Sequence, residues 1–116
     1  MNVEELRNYC LAKSCVTEEF PFDETTLVFK VCNKMFLVIS LDNPTLIRLK
    51  CEPTYAIELR ERYAGINAAF HFNKMHWNQV SIMGDITDKL LCSLIDHSYA
   101  QVVAKLPKSQ RRDLHH

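Results

Sequence analysis

A chain of 116 residues, close to half of them apolar, with fourteen basic side chains against fourteen acidic ones, suits one globular domain with a real core. No apolar run is long enough to span a bilayer and no secretory leader opens the sequence, so the expectation is a cytoplasmic protein with no membrane partner. Zero formal charge argues against a dedicated nucleic-acid binder, which carries a basic excess, but leaves room for a local basic patch.

The first predicted element is a helix over residues 3–13. Val3, Leu6, Cys10 and Leu11 recur at helical spacing, Asn2 with Glu5 has the pattern of a capping box, and Glu4 and Glu5 sit at the positive end of the helix dipole. Residues 17–22 read as extended, because Pro21 pushes its predecessor out of the helical region. A strand follows at 27–32, where Leu27, Phe29 and Val31 alternate against Lys30. Residues 35–41 are almost wholly apolar, as suits a central strand covered on at least part of both faces. Asn33-Lys34 is the two-residue hairpin linker between these strands, and Asp42-Asn43-Pro44 makes the next turn. In the third strand, 46–51, Ile47 and Leu49 face one way, Arg48 and Lys50 the other.

Pro53 suits the first position of a second helix whose buried side carries Ala56, Leu59 and Tyr63, with Gly65 as its C-terminal cap. Residues 77–83 alternate as a further strand with Val80 and Ile82 on its apolar face, and Gly84-Asp85 turns the chain. The last helix, 87–106, carries the stripe Leu90, Leu91, Leu94, Ile95, Val102 and Leu106; Asp85 or Thr87 caps it and Pro107 limits it. This order predicts a single α+β domain over residues 1–113, an antiparallel sheet of four to six strands with about three helices on one face. Residues 114–116 are read as a tail outside the fold.

Cys10, Cys15, Cys32, Cys51 and Cys92 contain no Cys-x-x-Cys pair and are odd in number, so they fit neither a zinc knuckle nor a disulfide framework. Each lies in or beside an apolar run and is read as a small hydrophobe in a reducing compartment. Catalytic motifs are missing: there is no Gly-x-Ser-x-Gly, no His-Glu-x-x-His, and with only Gly65 and Gly84 no glycine-rich phosphate loop. His71, His76 and His97 could supply acid-base groups, but Asp96 cannot orient His97, since adjacent helix residues point about 100° apart. His97 is therefore read as a half-buried, locally bonded histidine. His71 and His76 have no carboxylate or thiolate near in sequence to complete a metal set. No metal, no cofactor and no catalysis are expected.

The densest chemistry lies in residues 71–78. His71, Asn73, Lys74, His76, Trp77 and Asn78 crowd hydrogen-bonding and stacking groups into eight positions, poor core material unless each finds a partner. They either satisfy one another around a turn capped by Asn73, or face a partner. Lys74 offers a phosphate contact, Trp77 a stacking surface and Asn78 a base-edge reader. Lys30, Arg48 and Lys50 share one sheet face if their strands pair in register, and Lys105, Lys108, Arg111 and Arg112 form a basic C-terminal cluster. As a solvated surface these charges need no partner at all.

Several of these segments together resemble the MmcQ/YjbR-like family. They are Pro21-Phe22, Phe29-Lys30-Val31, Asn33-Lys34-Met35-Phe36, Leu49-Lys50-Cys51-Glu52-Pro53, the whole of 71–78, Asp96-His97-Ser98-Tyr99, and Val102-Val103-Ala104-Lys105-Leu106-Pro107. The resemblance covers nearly the whole chain in order. Its departures are Asp23 where the family usually has glycine, Phe72 for a methionine or leucine, and Ala69 for a glycine. It implies a compact α+β fold similar to secretion-chaperone-like folds, and DNA binding through a double-wing arrangement of β-hairpins. The resulting expectation is weak DNA binding, mainly to the backbone, by His71, Asn73, Lys74, His76, Trp77 and Asn78 with Lys34, Arg48 and Lys50. The alternative is a protein-binding adaptor that uses an exposed sheet or groove. A DNA surface would be basic, whereas an adaptor would show an apolar patch.

Overall fold

The computed structural model describes residues 1–69, 71–112 and 114, and its first element begins where the capping pattern lies. Asn2 Oδ1 accepts from the Glu5 amide at 2.8 Å and the Glu5 carboxylate accepts from the Asn2 amide at 3.2 Å, so helix α1 (Val3–Leu11) opens on a complete capping box. Its Leu6 and Cys10 are buried.

The next four strands form a meander: β1 (Val16–Glu19), β2 (Thr26–Val31), β3 (Lys34–Ser40) and β4 (Asn43–Lys50). The chain then runs through α2 (Pro53–Arg62), lays down β5 (Ile66–Ala68) and returns as β6 (Trp77–Ser81). The sheet order is β1-β2-β3-β4-β6-β5, with every neighbouring pair antiparallel. Both edges are short, four residues at β1 and three at β5, which limits pairing with another chain. Helix α3 (Asp88–Val103) starts on Thr87, whose hydroxyl accepts from the Leu90 amide at 3.1 Å, and the one-turn α4 (Lys108–Arg111) follows Pro107. Among the described residues no helix is long and apolar enough to cross a membrane.

One core lies between the sheet and the three longer helices, built from Phe29, Phe36, Leu37, Ile39, Ile47 and Leu49 below and Leu6, Leu59, Leu91, Ile95 and Tyr99 above. Residues 36–39 are the most completely buried stretch of any strand, as their apolar run predicted. Their burial exceeds plain alternation because the β2–β3 register slips between Phe29 and Lys30: Leu37 pairs with Phe29 and Met35 with Lys30, leaving Phe36 unopposed. This bulge turns Phe36 and Leu37 both into the core.

Four local readings need correction. The β2–β3 turn is Cys32-Asn33, not Asn33-Lys34: both residues have positive φ (47° and 68°), the mirror-image turn that matches strand twist. Ser40 pairs with Asn43, so the following turn is Leu41-Asp42 and Pro44 stands inside β4. Helix α2 ends on an extended Tyr63 rather than on Gly65; there a side chain would meet Asp85 Oδ1 at 3.1 Å and Ile86 at 3.3 Å, so Gly65 serves close packing. Leu114 is no tail residue, being buried in the core cluster. The cysteines divide as well. None of the five forms a disulfide; Cys10 and Cys51 are core residues whose thiols burial pushes up to about 12 and about 11, while Cys15 is exposed at φ 60°.

Candidate functional site

Strands β3 and β4 pair only as far as Leu37 and Leu49. Beyond that point Met35 and Lys34 stay with β2, while Lys50 pairs with Trp77 of β6, so the sheet splits. Ser98, fully buried on α3, seals the root of the split. Its hydroxyl accepts from the Lys50 amide at 2.9 Å and donates to the Phe36 carbonyl at 2.5 Å, the two backbone groups the parting strands leave unpaired. Below Ser98 the split widens into a cleft of about 710 Å³, roofed by Val102, Leu106 and Pro107 and walled by Met35 and Trp77. Lys34, Lys50 and Lys105 line it, and no carboxylate does among the described residues.

The rest of the Asp96–Tyr99 motif is also structural. Asp96 accepts from Tyr9 at 2.7 Å and Lys13 at 2.5 Å, and Tyr99 donates to the Ser14 carbonyl at 2.7 Å while its ring meets Phe36 edge-on. His97 Nε2 accepts from the Glu52 amide at 3.1 Å, and burial holds its pKa below the ordinary 6.5. His97 is half-buried as expected, but its bond is not local: it reaches Glu52, 45 residues away in sequence.

Residues 71–78 divide between two roles. Asn73 Oδ1 accepts from the Met75 amide and its carbonyl from the His76 amide, both at 3.0 Å, so Asn73 builds the turn as expected. The His76 carbonyl accepts from the Cys51 amide at 2.8 Å and extends the β4–β6 ladder. Asn78, 2% exposed, bonds the Ala56 carbonyl and receives Arg60 Nε at 2.6 Å; a second Arg60 nitrogen donates to the Lys74 carbonyl. Asn78 therefore clamps α2 to β6 and is not available as a base-edge reader. Trp77 is only 9% exposed and packs on Phe72, centroids 5.1 Å apart, so it is a wall and not a free stacking platform. His71, with φ 65°, and Lys74 are exposed.

The 71–76 segment folds over the outer face of the sheet, opposite the helices. Phe72 lies against Arg48, whose guanidinium carbon is 5.9 Å from the ring centre, and a groove of about 390 Å³ opens beside them, lined also by Phe22, Met35, Val38 and His71. Arg48 Nε is buried with no hydrogen-bond partner. Lys30 and Arg48 share this face by strand alternation, but Lys30 is held by Glu19 at 2.9 Å, and Lys50 lines the cleft instead. The structure thus brings Lys34, Lys50 and Trp77 together at the cleft, and Arg48 and His71 at the groove. Two contributors escaped sequence reasoning. In sequence Lys105 reads as one of the C-terminal charges, although its place one turn after Val102 marks the sheet side, and Phe72 carries no signal beyond its apolar character. Among the described residues no group of three or more His, Cys, Asp or Glu is placed to hold a metal ion.

Residues 11–101 match the family model described as YjbR. The Escherichia coli K12 protein named uncharacterized protein YjbR is 31% identical over 113 residues, which cover 97% of this chain and 96% of that protein. The crystal structure of Deinococcus radiodurans protein DR2400, a DUF419 domain, aligns with a TM-score of 0.90 at 34% identity, over 96% of this chain and 86% of its own. A crystal structure of a Pseudomonas syringae protein aligns at 0.74 with 25% identity, over 87% of this chain and 98% of that one.

Proposed function

The chain belongs to the YjbR family, and from that premise we propose that it binds DNA weakly, without catalysis, through backbone contacts made by the cations of its outer sheet face and sheet end. One observation supports this most. The two concavities carry Lys34, Arg48, Lys50 and Lys105, and neither is lined by a carboxylate among the described residues. Two half-buried lysines elsewhere have acidic partners, Lys13 on Asp96 and Lys30 on Glu19, and half-buried Arg60 is held by Asn78 and the Lys74 carbonyl. A patch left positive inside a neutral molecule suits a polyanion. Recognition then rests on charge and shape, since Asn78 and Trp77 are committed to packing. Five cysteines without a disulfide agree with a cytoplasmic setting.

The alternative, a protein-binding adaptor, draws on Phe22, 64% exposed at the groove's rim. Titration of labelled duplex and single-stranded DNA at about 50 mM salt separates the two. The DNA reading gives binding on the order of micromolar to tens of micromolar, weakened several-fold by Arg48→Gln and by Lys50→Gln and unaffected by Phe22→Ser. No complex with either DNA, or binding lost only with Phe22→Ser, transfers the surface to the adaptor reading.

A further inference from the structure

We infer that the cleft between the parted ends of β3 and β4 is a binding site for a phosphomonoester, the terminal phosphate of a nucleotide or of a DNA strand, held by Lys34, Lys50 and Lys105 against the Trp77 wall. Three ammonium groups line one cavity that holds no carboxylate among the described residues. They come from three places in the fold: Lys34 opens β3, Lys50 closes β4 and Lys105 follows α3. Their mutual repulsion is a cost that a bound anion relieves. Burial first, and then the neighbouring charges of Lys105 and Lys34, lower the Lys50 pKa. Asn33 and Gln110 at the mouth add neutral hydrogen-bonding groups, as an oxygen-rich ligand requires.

Charge matching selects the ligand class. A phosphodiester brings one negative charge, whereas a phosphomonoester brings nearly two above its second pKa near 6. Three convergent lysines therefore favour the monoester. The cleft's volume, about 710 Å³, lies within the range of small-molecule sites, so it has room for more than the phosphate. Met35, Trp77, Leu106 and Pro107 give it an apolar wall for a sugar or base. No bond is made or broken; the site binds. It goes beyond the DNA reading and uses it only where the phosphate is carried on a strand.

Trp77, the only tryptophan, lines the cleft and reports its occupancy. The experiment follows its emission with inorganic phosphate, adenosine 5′-monophosphate, adenosine, and a short oligothymidylate with or without a 5′-phosphate. The expected result is a saturable change with phosphate and the monophosphate, none with adenosine, and a 5′-phosphorylated oligonucleotide bound roughly tenfold tighter than its 5′-hydroxyl twin. Phosphate competes with the phosphorylated strand. The exposed pair Lys34→Gln/Lys105→Gln, which leaves the core intact, removes the 5′-phosphate preference, whereas Lys89→Gln on the far end of α3 does not. Equal binding of the two oligonucleotides, with no competition by phosphate, overturns the site while the DNA reading stands. A response to phosphate and the monophosphate with none to either oligonucleotide supports the site and overturns the DNA reading. Silence with every probe overturns both.

Discussion

Asp96, His97, Ser98 and Tyr99 reach four different neighbours because each helix residue turns about 100° from the last. Asp96 meets α1, His97 the start of α2, Ser98 the split sheet, and Tyr99 the chain after α1. A run of polar residues that looks like chemistry in sequence is here a clasp. His97 shows how it responds to pH. Its Nε2 accepts the Glu52 N–H, so only the neutral ring fits, and burial lowers its pKa from 6.5. The unfolded chain takes up this proton first. The contribution is therefore complete above about pH 6.5 and is lost as pH falls through 6.5 toward the folded pKa. The lowered carboxylates Glu18, Asp23 and Glu52 act in a lower window, below their ordinary 4.5, 3.8 and 4.5, so the histidine window is clean. His97→Gln keeps an acceptor and does not titrate. Urea midpoints should show the wild type losing about 1 kcal/mol more than this variant between about pH 7 and pH 5, the size of one hydrogen bond. Parallel curves would mean that His97 takes its proton as readily in the folded chain as in the unfolded one, so that the bond to the Glu52 amide contributes no stability.

At the level of elements, the parting of β3 from β4 creates the cleft, and Ser98 makes that parting tolerable. Ser98→Ala orphans the Lys50 N–H and the Phe36 carbonyl in one step. We expect a loss of about 2–3 kcal/mol, seen as a lower urea midpoint with unchanged slope; a loss below about 0.5 kcal/mol would show that water or a small backbone shift replaces the hydroxyl. The strands and helices themselves were legible, because period-2 and period-3.6 patterns each demand one buried face. The apolar run at 35–41 named the central strand, and Asn2, Pro53 and Thr87 named three helix starts. The split was not legible. It depends on a one-residue slip at Phe36 and on a turn at Cys32-Asn33, and both alter register without altering hydrophobic content. The edge strand β5 was equally silent, three residues being too few to show a period.

The whole molecule is neutral, yet its charges are sorted. Glu18 is spent on Arg7, Asp96 on Lys13, Glu19 on Lys30 and Asp88 on the amino terminus, while Glu52 caps α2 and Asp23 holds a turn. Composition adds these acids to the same total as Lys34, Arg48, Lys50 and Lys105, so the formal charge of zero concealed the basic end of the sheet. The site was legible only where sequence neighbours stay spatial neighbours, as in the Asn73 turn. Lys34, Lys50, Trp77 and Lys105 meet through four separate elements, and no one-dimensional pattern joins them. Salt dependence measures the sorting directly. If charge were evenly mixed, added salt would change DNA binding little. Three or four phosphate contacts to a single strand instead give a slope of about −2 to −3 in log affinity against log salt, so raising salt from about 50 to 200 mM should weaken binding roughly 20- to 50-fold. Arg48→Gln should lower that slope by about 0.7, the share of one contact, on every sequence alike. Lys74→Ala should do the same if the exposed end of the 71–76 segment lies against the strand. A slope near zero with binding intact would mean that apolar contact, not phosphate, holds the partner, and Phe22 and Phe72 would become the residues to mutate next.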